Sequence, residues 1–89
     1  MSDTHRHYLS DLGLLLREHA EEARVAANAS AGTDDYSFQS GRLIAYVEVL
    51  SLLHSQAVAF QIPAEQLHLD GFDPARDLLA APAATDRDP

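Results

Sequence analysis

The sequence predicts an all-α fold, an antiparallel helical hairpin followed by a short C-terminal helix, and three observations lead to it. Apolar residues recur at alternating steps of three and four from Tyr36 to Ile62, which is the period of a long helix. A second apolar seam of the same period occupies residues 9–26. Only a short turn of glycine and cap-forming residues, Gly32 to Asp35, separates the two segments, and so short a connection makes the helices antiparallel.

The first helix is predicted over residues 4–31. Ser2, Asp3 or Thr4 can serve as its N-cap, and Gly32 supplies a left-handed stop. Its apolar seam consists of Leu9, Leu12, Leu16, His19, Ala23 and Ala26. Beside that seam runs a row of small residues at seven-residue steps, in which large side chains of a neighbouring helix can nest: Gly13, Ala20 and Ala27.

The second helix is predicted over residues 35–62. Asp34 or Asp35 can accept the unpaired amides at its start, and Pro63 ends it because proline lacks the amide that the helix requires. With the turn centred near residue 33, the hairpin register places His19 beside Tyr46 and Gly13 beside Leu53.

The second helix carries more apolar surface than one partner helix can cover. Beyond the seam, this surface includes Ile44, Val47, Val49, Leu52 and Val58. We therefore expect a second copy to pack on this helix and complete a four-helix bundle as a homodimer. The residues predicted at the interface are Leu43, Tyr46, Val47, Leu50, Leu53, Ala57 and Phe60. Gly41, inside the helix, is interpreted as a crossing point between protomers.

The C-terminal segment is predicted to form two short helices, over residues 63–68 and 74–80. The second has Asp73 as N-cap and Pro74 at the first helical position. Leucines and a phenylalanine give the segment apolar surface, and we expect it to dock near Ile44, Leu52 or Val58, in the same chain or another. Residues 1–80 thus form one predicted domain, and residues 81–89 a disordered tail.

Composition narrows the possible functions. The chain has no cysteine. It has six basic residues, all of them arginine, and fourteen acidic residues, which gives a net charge of −8. Such a charge repels nucleic acid. The N-terminus lacks the features of a signal peptide, and polar residues interrupt the longest apolar run, so we expect no membrane span and a cytoplasmic protein.

No residue pattern predicts a catalytic, cofactor or metal site. Glu48 and His54 are six residues apart and lie on different helix faces, and neighbouring serines and histidine lack an orienting acid. His19 lies on the apolar seam. It is interpreted either as a packing residue bonded to a hydroxyl group or as a pH-sensitive contact, and the first is favoured.

The leading functional hypothesis is a non-catalytic interaction module that binds a basic protein with its acidic surface, as an adaptor or as an immunity-like neutralising protein. This rests on size and charge alone. The carboxylates proposed for partner binding are Glu18, Glu21, Glu22, Asp34, Asp35, Asp70, Asp73 and Asp77. The alternative is a small bundle enzyme or a ligand or metal carrier, whose pocket between helices would use His19, Tyr46, Glu48 or His54. A complex with a different protein in place of the second copy also stays open.

Overall fold

A computed structural model of the chain describes residues 2–79. Helix α1 spans Asp3–Ala29, α2 spans Tyr36–Ala59, a 3₁₀ helix spans Ala64–Leu67, and α3 spans Pro74–Leu79. The two long helices pack as a hairpin, and residues 2–79 contain no strand. The predicted all-α hairpin is therefore confirmed. The predicted tail, residues 81–89, lies outside the described residues, as does residue 80.

Helix α1 begins and ends with side-chain hydrogen bonds. The Ser2 hydroxyl accepts from the backbone N–H of His5 at 3.2 Å, so Ser2 is the N-cap among the three candidates. At the other end the buried Ser30 donates its backbone N–H to the carbonyl of Ala26 and its hydroxyl to that of Ala27. Helix α1 ends at Ala29, two residues before the predicted end, and Gly32 turns the chain with φ of 83°.

The start of α2 differs from the prediction. Asp35 has nearly helical backbone angles, φ −85° and ψ −5°, and no side chain caps this end. Instead the Thr33 hydroxyl accepts from the Asp35 N–H at 3.2 Å, and the Asp35 carboxylate accepts from the amide of Gln39 at 2.9 Å. The expectation that an aspartate side chain accepts the first amides of α2 is therefore wrong: Asp35 is at the N-cap position, but its carboxylate accepts from the Gln39 side chain instead.

Helix α2 ends at Ala59, three residues before the predicted end. The ring of Pro63 would clash with a helical carbonyl four residues earlier, at position 59. Gln61 takes up the left-handed conformation, with φ of 58°. The Gln61 N–H donates to the carbonyl of Val58, and the Ile62 N–H donates to the carbonyl of Ala57. These two bonds form a Schellman motif, in which glutamine takes the position usually held by glycine.

The core draws on every element of the fold. α1 contributes small residues, α2 contributes one face of mixed size, and the C-terminal segment contributes leucines. The fully or nearly buried apolar residues are Ala20, Ala23, Ala27, Leu43, Val47, Leu50, Ala57, Leu67, Leu69 and Leu78. Among the largest fully buried side chains, three of four come from the C-terminal segment. That segment is therefore part of the core.

The hairpin register is close to the predicted one at its middle. The rings of His19 and Tyr46 contact each other, with centroids 6.5 Å apart. Gly13, however, faces the 3₁₀ helix: a Cβ atom there would lie 2.0 Å from the carbonyl oxygen of Leu67. At Gly13, the first residue of the small-residue row, α1 therefore packs against the backbone of the C-terminal segment and not against Leu53 as we expected.

The C-terminal segment docks in its own chain, but not at the predicted seat. Ile44, Leu52 and Val58 all stay exposed. The 3₁₀ helix lies against α1, and α3 lies mainly against α2. The predicted docking site near Ile44, Leu52 or Val58 is therefore wrong. Helix periodicity identifies the apolar faces of a helix but does not indicate which neighbouring element covers each of them.

Candidate functional site

The seven predicted interface residues divide into two groups. Leu43, Val47, Leu50 and Ala57 are buried within the chain's own hairpin. Tyr46 and Leu53 are half-buried beside the core, and Phe60 is 73% exposed. The first four therefore serve the intrachain core, and the exposed apolar surface of α2 is formed by other residues.

That surface is an apolar row on the side of α2 away from the core, which we call the outer seam. Its large members are well exposed, Phe38 at 66% and Leu52 at 62%. The outer seam consists of Phe38, Gly41, Ala45, Leu52, Gln56 and Ala59, all exposed or half-buried and none charged. A Cβ at Gly41 would meet no atom within 4 Å, so nothing in this chain explains the missing side chain.

The borders of the outer seam carry the two charges of α2. Arg42 places its guanidinium over the ring of Tyr46, 5.7 Å from the centroid, and Glu48 is exposed on the other border. At about 100° per residue, Arg42 points about 70° and Glu48 about 50° away from the centre of the seam, so both lie at its edges. Glu48 is only about 20° beyond Gly41 and Ala59.

A second surface feature is an open cleft of about 480 Å³ between α1 and the C-terminal segment. It is lined by Leu14, Arg17, Glu18, Glu21, His68, Asp70, Phe72 and Asp77. Four of the eight carboxylates proposed for partner binding therefore meet here, although they are about 50 residues apart in sequence. Glu22, Asp34, Asp35 and Asp73 do not line the cleft.

Arg17 joins the two walls of the cleft. Its guanidinium donates to the backbone carbonyl of His68 at 2.7 Å and lies over the ring of Phe72, 4.4 Å from the centroid. The His68 ring is held in turn by the Ser10 hydroxyl, with 2.8 Å between Nε2 and Oγ. His68 makes both contacts from a left-handed backbone conformation, with φ of 57°.

The carboxylates around the cleft differ in their partners. Glu21 pairs with Arg24, and Asp77 pairs with Arg76. The carboxylates of Glu18 and Asp70 make no hydrogen bond or ion pair with the side chains or backbone of residues 2–79. Both therefore leave an anionic group available to a cation that enters the cleft.

Asp77 is held in its charged form. Its carboxylate accepts from the Arg76 guanidinium at 2.8 Å and from the backbone N–H of Asp73 at 2.9 Å, and these bonds lower its pKa to about 2. Asp73 is the predicted N-cap of α3, and its carboxylate accepts from the backbone N–H of Arg76. The two aspartates thus cap the helix reciprocally.

Replacing Asp77 with Asn should lower the thermal stability of the chain at neutral pH. The depressed pKa means that the carboxylate stabilises the fold above about pH 4, and that this contribution is lost between about pH 4 and pH 2. The melting temperatures of wild type and Asp77→Asn should therefore converge over that range in circular dichroism scans. Asp34→Asn removes the same charge from an exposed turn. It should have the melting temperature of wild type both at neutral pH and at the acidic end of the pH range.

The four residues named for a pocket between helices lie on α1 and α2. His19 and Tyr46 touch, but none of His19, Tyr46, Glu48 and His54 lines the cleft. Within the described part of the chain, no group of three or more histidine or acidic side chains is placed to hold a metal ion.

Sequence reasoning missed four residues of the cleft, Leu14, Arg17, His68 and Phe72. Arg17 was one of several charges on the exposed face of α1, and nothing marks His68 as left-handed. Phe72 was recognised only as docking surface. The contacts depend on the path of the C-terminal segment, which no local pattern fixes.

Comparison with known proteins gave no match to a family model, to a curated protein or to a solved structure. Among residues 2–79, no helix is both long and apolar enough to cross a bilayer.

Proposed function

We propose that the chain is a non-catalytic protein interaction module that self-associates through α2 and binds a basic segment of a partner protein in its acidic cleft. The observation that carries the proposal is the outer seam, an apolar surface that remains after the chain's own core is complete. Monomeric soluble proteins seldom expose contiguous apolar patches beyond a few hundred Å². Burial against a second protein would remove this exposure.

The cleft supports the second half of the proposal. Four carboxylates and one arginine give it a net negative lining, and Leu14 and Phe72 provide apolar contacts for the stem of a long side chain. An arginine or lysine of a partner fits this combination, because its methylenes can pack while its charge meets Glu18 and Asp70. An adaptor or neutralising role toward a basic protein is consistent with both features.

Titration calorimetry with an arginine-rich peptide tests the cleft. We expect saturable binding that weakens with salt. The double variant Glu18→Gln/Asp70→Asn should bind the peptide about two- to thirtyfold more weakly than wild type, since exposed ion pairs contribute about 0.2–1 kcal/mol each. Asp34→Asn/Asp35→Asn is the matched control, because it removes the same charge from the turn. Equal losses in both variants would contradict a defined site, and a monomer in sedimentation equilibrium at micromolar concentration would contradict self-association.

The cleft also favours a second candidate, a carrier of a small organic cation. Its volume of about 480 Å³ lies within the usual range of small-molecule pockets, and its wall includes an aromatic ring. Benzylamine is a suitable probe, since it combines an ammonium group with a ring. Saturable benzylamine binding that Asp70→Asn abolishes, together with no binding of the arginine-rich peptide, would favour the carrier.

A further inference from the structure

The outer seam has an internal symmetry in the sizes of its residues. Phe38 and Ala59 are equally distant from a point between Glu48 and Val49, and so are Gly41 and Gln56, and Ala45 and Leu52. In each of these three pairs one residue is large and the other is small. A surface with this order is complementary to itself when it is turned end over end.

We propose that the occupant of the outer seam is a second copy of this chain, with the two α2 helices antiparallel about a two-fold axis between residues 48 and 49. The proposal rests on the self-association proposed above and adds its orientation and register. An axis at this point lies near the middle of α2, so almost the whole helix takes part. Phe38 to Ala59 then forms a contact about 32 Å long.

In this register each large side chain meets a small one. Phe38 lies opposite Ala59 of the partner subunit, and Leu52 lies opposite Ala45 of the partner subunit. Gln56 lies opposite Gly41 of the partner subunit, which accounts for the open space at that glycine. Alternation of large and small residues lets helices approach closely and fill the space between them.

A parallel arrangement would lose this complementarity. It would place Phe38 beside Phe38 of the partner subunit, and Gly41 beside Gly41 of the partner subunit. Overpacked positions would then alternate with cavities along the interface. Cavities and overpacking each cost about 1 kcal/mol or more per site. The sizes of the side chains therefore favour the antiparallel pair.

The ends of the contact supply further apolar area. Phe60, 73% exposed, follows Ala59 and falls next to Phe38 of the partner subunit on the same border of the seam. The four phenylalanines of a dimer would bury on the order of 500 Å², since an aromatic side chain carries about 150–250 Å². Leu52, Val49 and the seam backbones add to this area, toward the roughly 1,200 Å² of a stable interface.

The charged borders are compatible with this arrangement. Val49 lies beside the axis on the Arg42 border, where it can be covered, and Glu48 lies on the opposite border, where its carboxylate can reach solvent. The two-fold axis also places the Glu48 carboxylates of the two copies at the same level on that border, so the pair requires both of them to point into solvent.

Disulfide cross-linking can test orientation and register directly, because the chain has no cysteine of its own. Ala45→Cys and Leu52→Cys are purified singly, and are also mixed under reducing conditions that allow subunits to exchange before oxidation. The proposed register brings residue 45 opposite residue 52 of the other copy. Cysteines at the same position would be about 10 Å apart along the axis, too far for a disulfide.

We expect at least about five-fold more covalent dimer in the mixture than in either variant alone, given the narrow distance range of disulfides. Val58→Cys, equally exposed but off the seam, measures the background from random collision. Cross-linking of each variant alone and not of the mixture would overturn the proposal in favour of a parallel pair. A wild-type dimer in sedimentation equilibrium with only background cross-linking would overturn the register alone, whereas a wild-type monomer would overturn the self-association as well.

Discussion

Gly13→Ala should destabilise the chain by about 1–3 kcal/mol or more, the usual cost of overpacking a filled site. The added Cβ would lie 2.0 Å from the carbonyl oxygen of Leu67 and 2.8 Å from its carbonyl carbon. Both are backbone atoms, so no side chain can rotate away and the 3₁₀ helix itself must move. That shift would also disturb Leu67 and Leu69, which are buried in the core. Thermal unfolding should show a melting temperature lower by about 4–8 °C per kcal/mol.

Gly41→Ala is the matched control for this prediction. It makes the same chemical change inside a helix, but its Cβ would meet nothing within 4 Å. It should therefore raise the stability of the monomer by about 1 kcal/mol through helix propensity alone. Both substitutions are best measured in a Leu52→Glu background, so that self-association does not enter the melting temperature. Gly13→Ala as stable as its parent would show that the 3₁₀ helix does not pack on α1 as described.

Leu52→Glu should convert the proposed dimer to a monomer. Each buried leucine contributes about 1.5–3 kcal/mol, and a symmetric interface loses two of them, so the dissociation constant should rise at least about 100-fold. The new carboxylates would also need to enter an apolar contact, which adds to the cost. Sedimentation equilibrium across a concentration series measures the change.

Val58→Glu provides the comparison. Val58 and Leu52 lie on the same helix and are 64% and 62% exposed, but they point about 120° apart around it. Val58→Glu adds the same charge and should leave the association constant nearly unchanged, with a small stability cost from an acid near the helix C-terminus of about 0.3–1 kcal/mol. Equal weakening by the two substitutions would argue against the outer seam as the contact.

Local signals in the sequence predicted much of the fold. The periodicity of α1 and α2 and the short turn between them lead to the hairpin, and Ser2 and Asp73 are the caps that their residue types suggest. Boundaries shifted by up to three residues where tertiary or turn chemistry prevailed. Gln61 and His68 have left-handed backbone conformations although neither is glycine, so their residue types do not predict these turns.

The candidate surfaces were harder to predict. Apolar residues occur all around α2, so the sequence alone cannot say which face packs against α1. The structure buries Leu43, Val47 and Leu50 there and leaves Phe38 and Leu52 outside. The cleft was unpredictable for a different reason. It needs Glu18 and Asp70 on the lining of one cleft, and the C-terminal segment that carries Asp70 packs on α1 through the close approach of Leu67 to Gly13.

The dependence of the core on Leu67, Leu69 and Leu78 has a consequence for synthesis in the cell. Ribosomes make α1 and α2 first, and the inner face of the hairpin lacks its cover until residues 67–78 have left the exit tunnel. During that interval the nascent chain presents apolar surface that the finished protein hides. The final packing of the hairpin therefore has to wait for the C-terminal leucines.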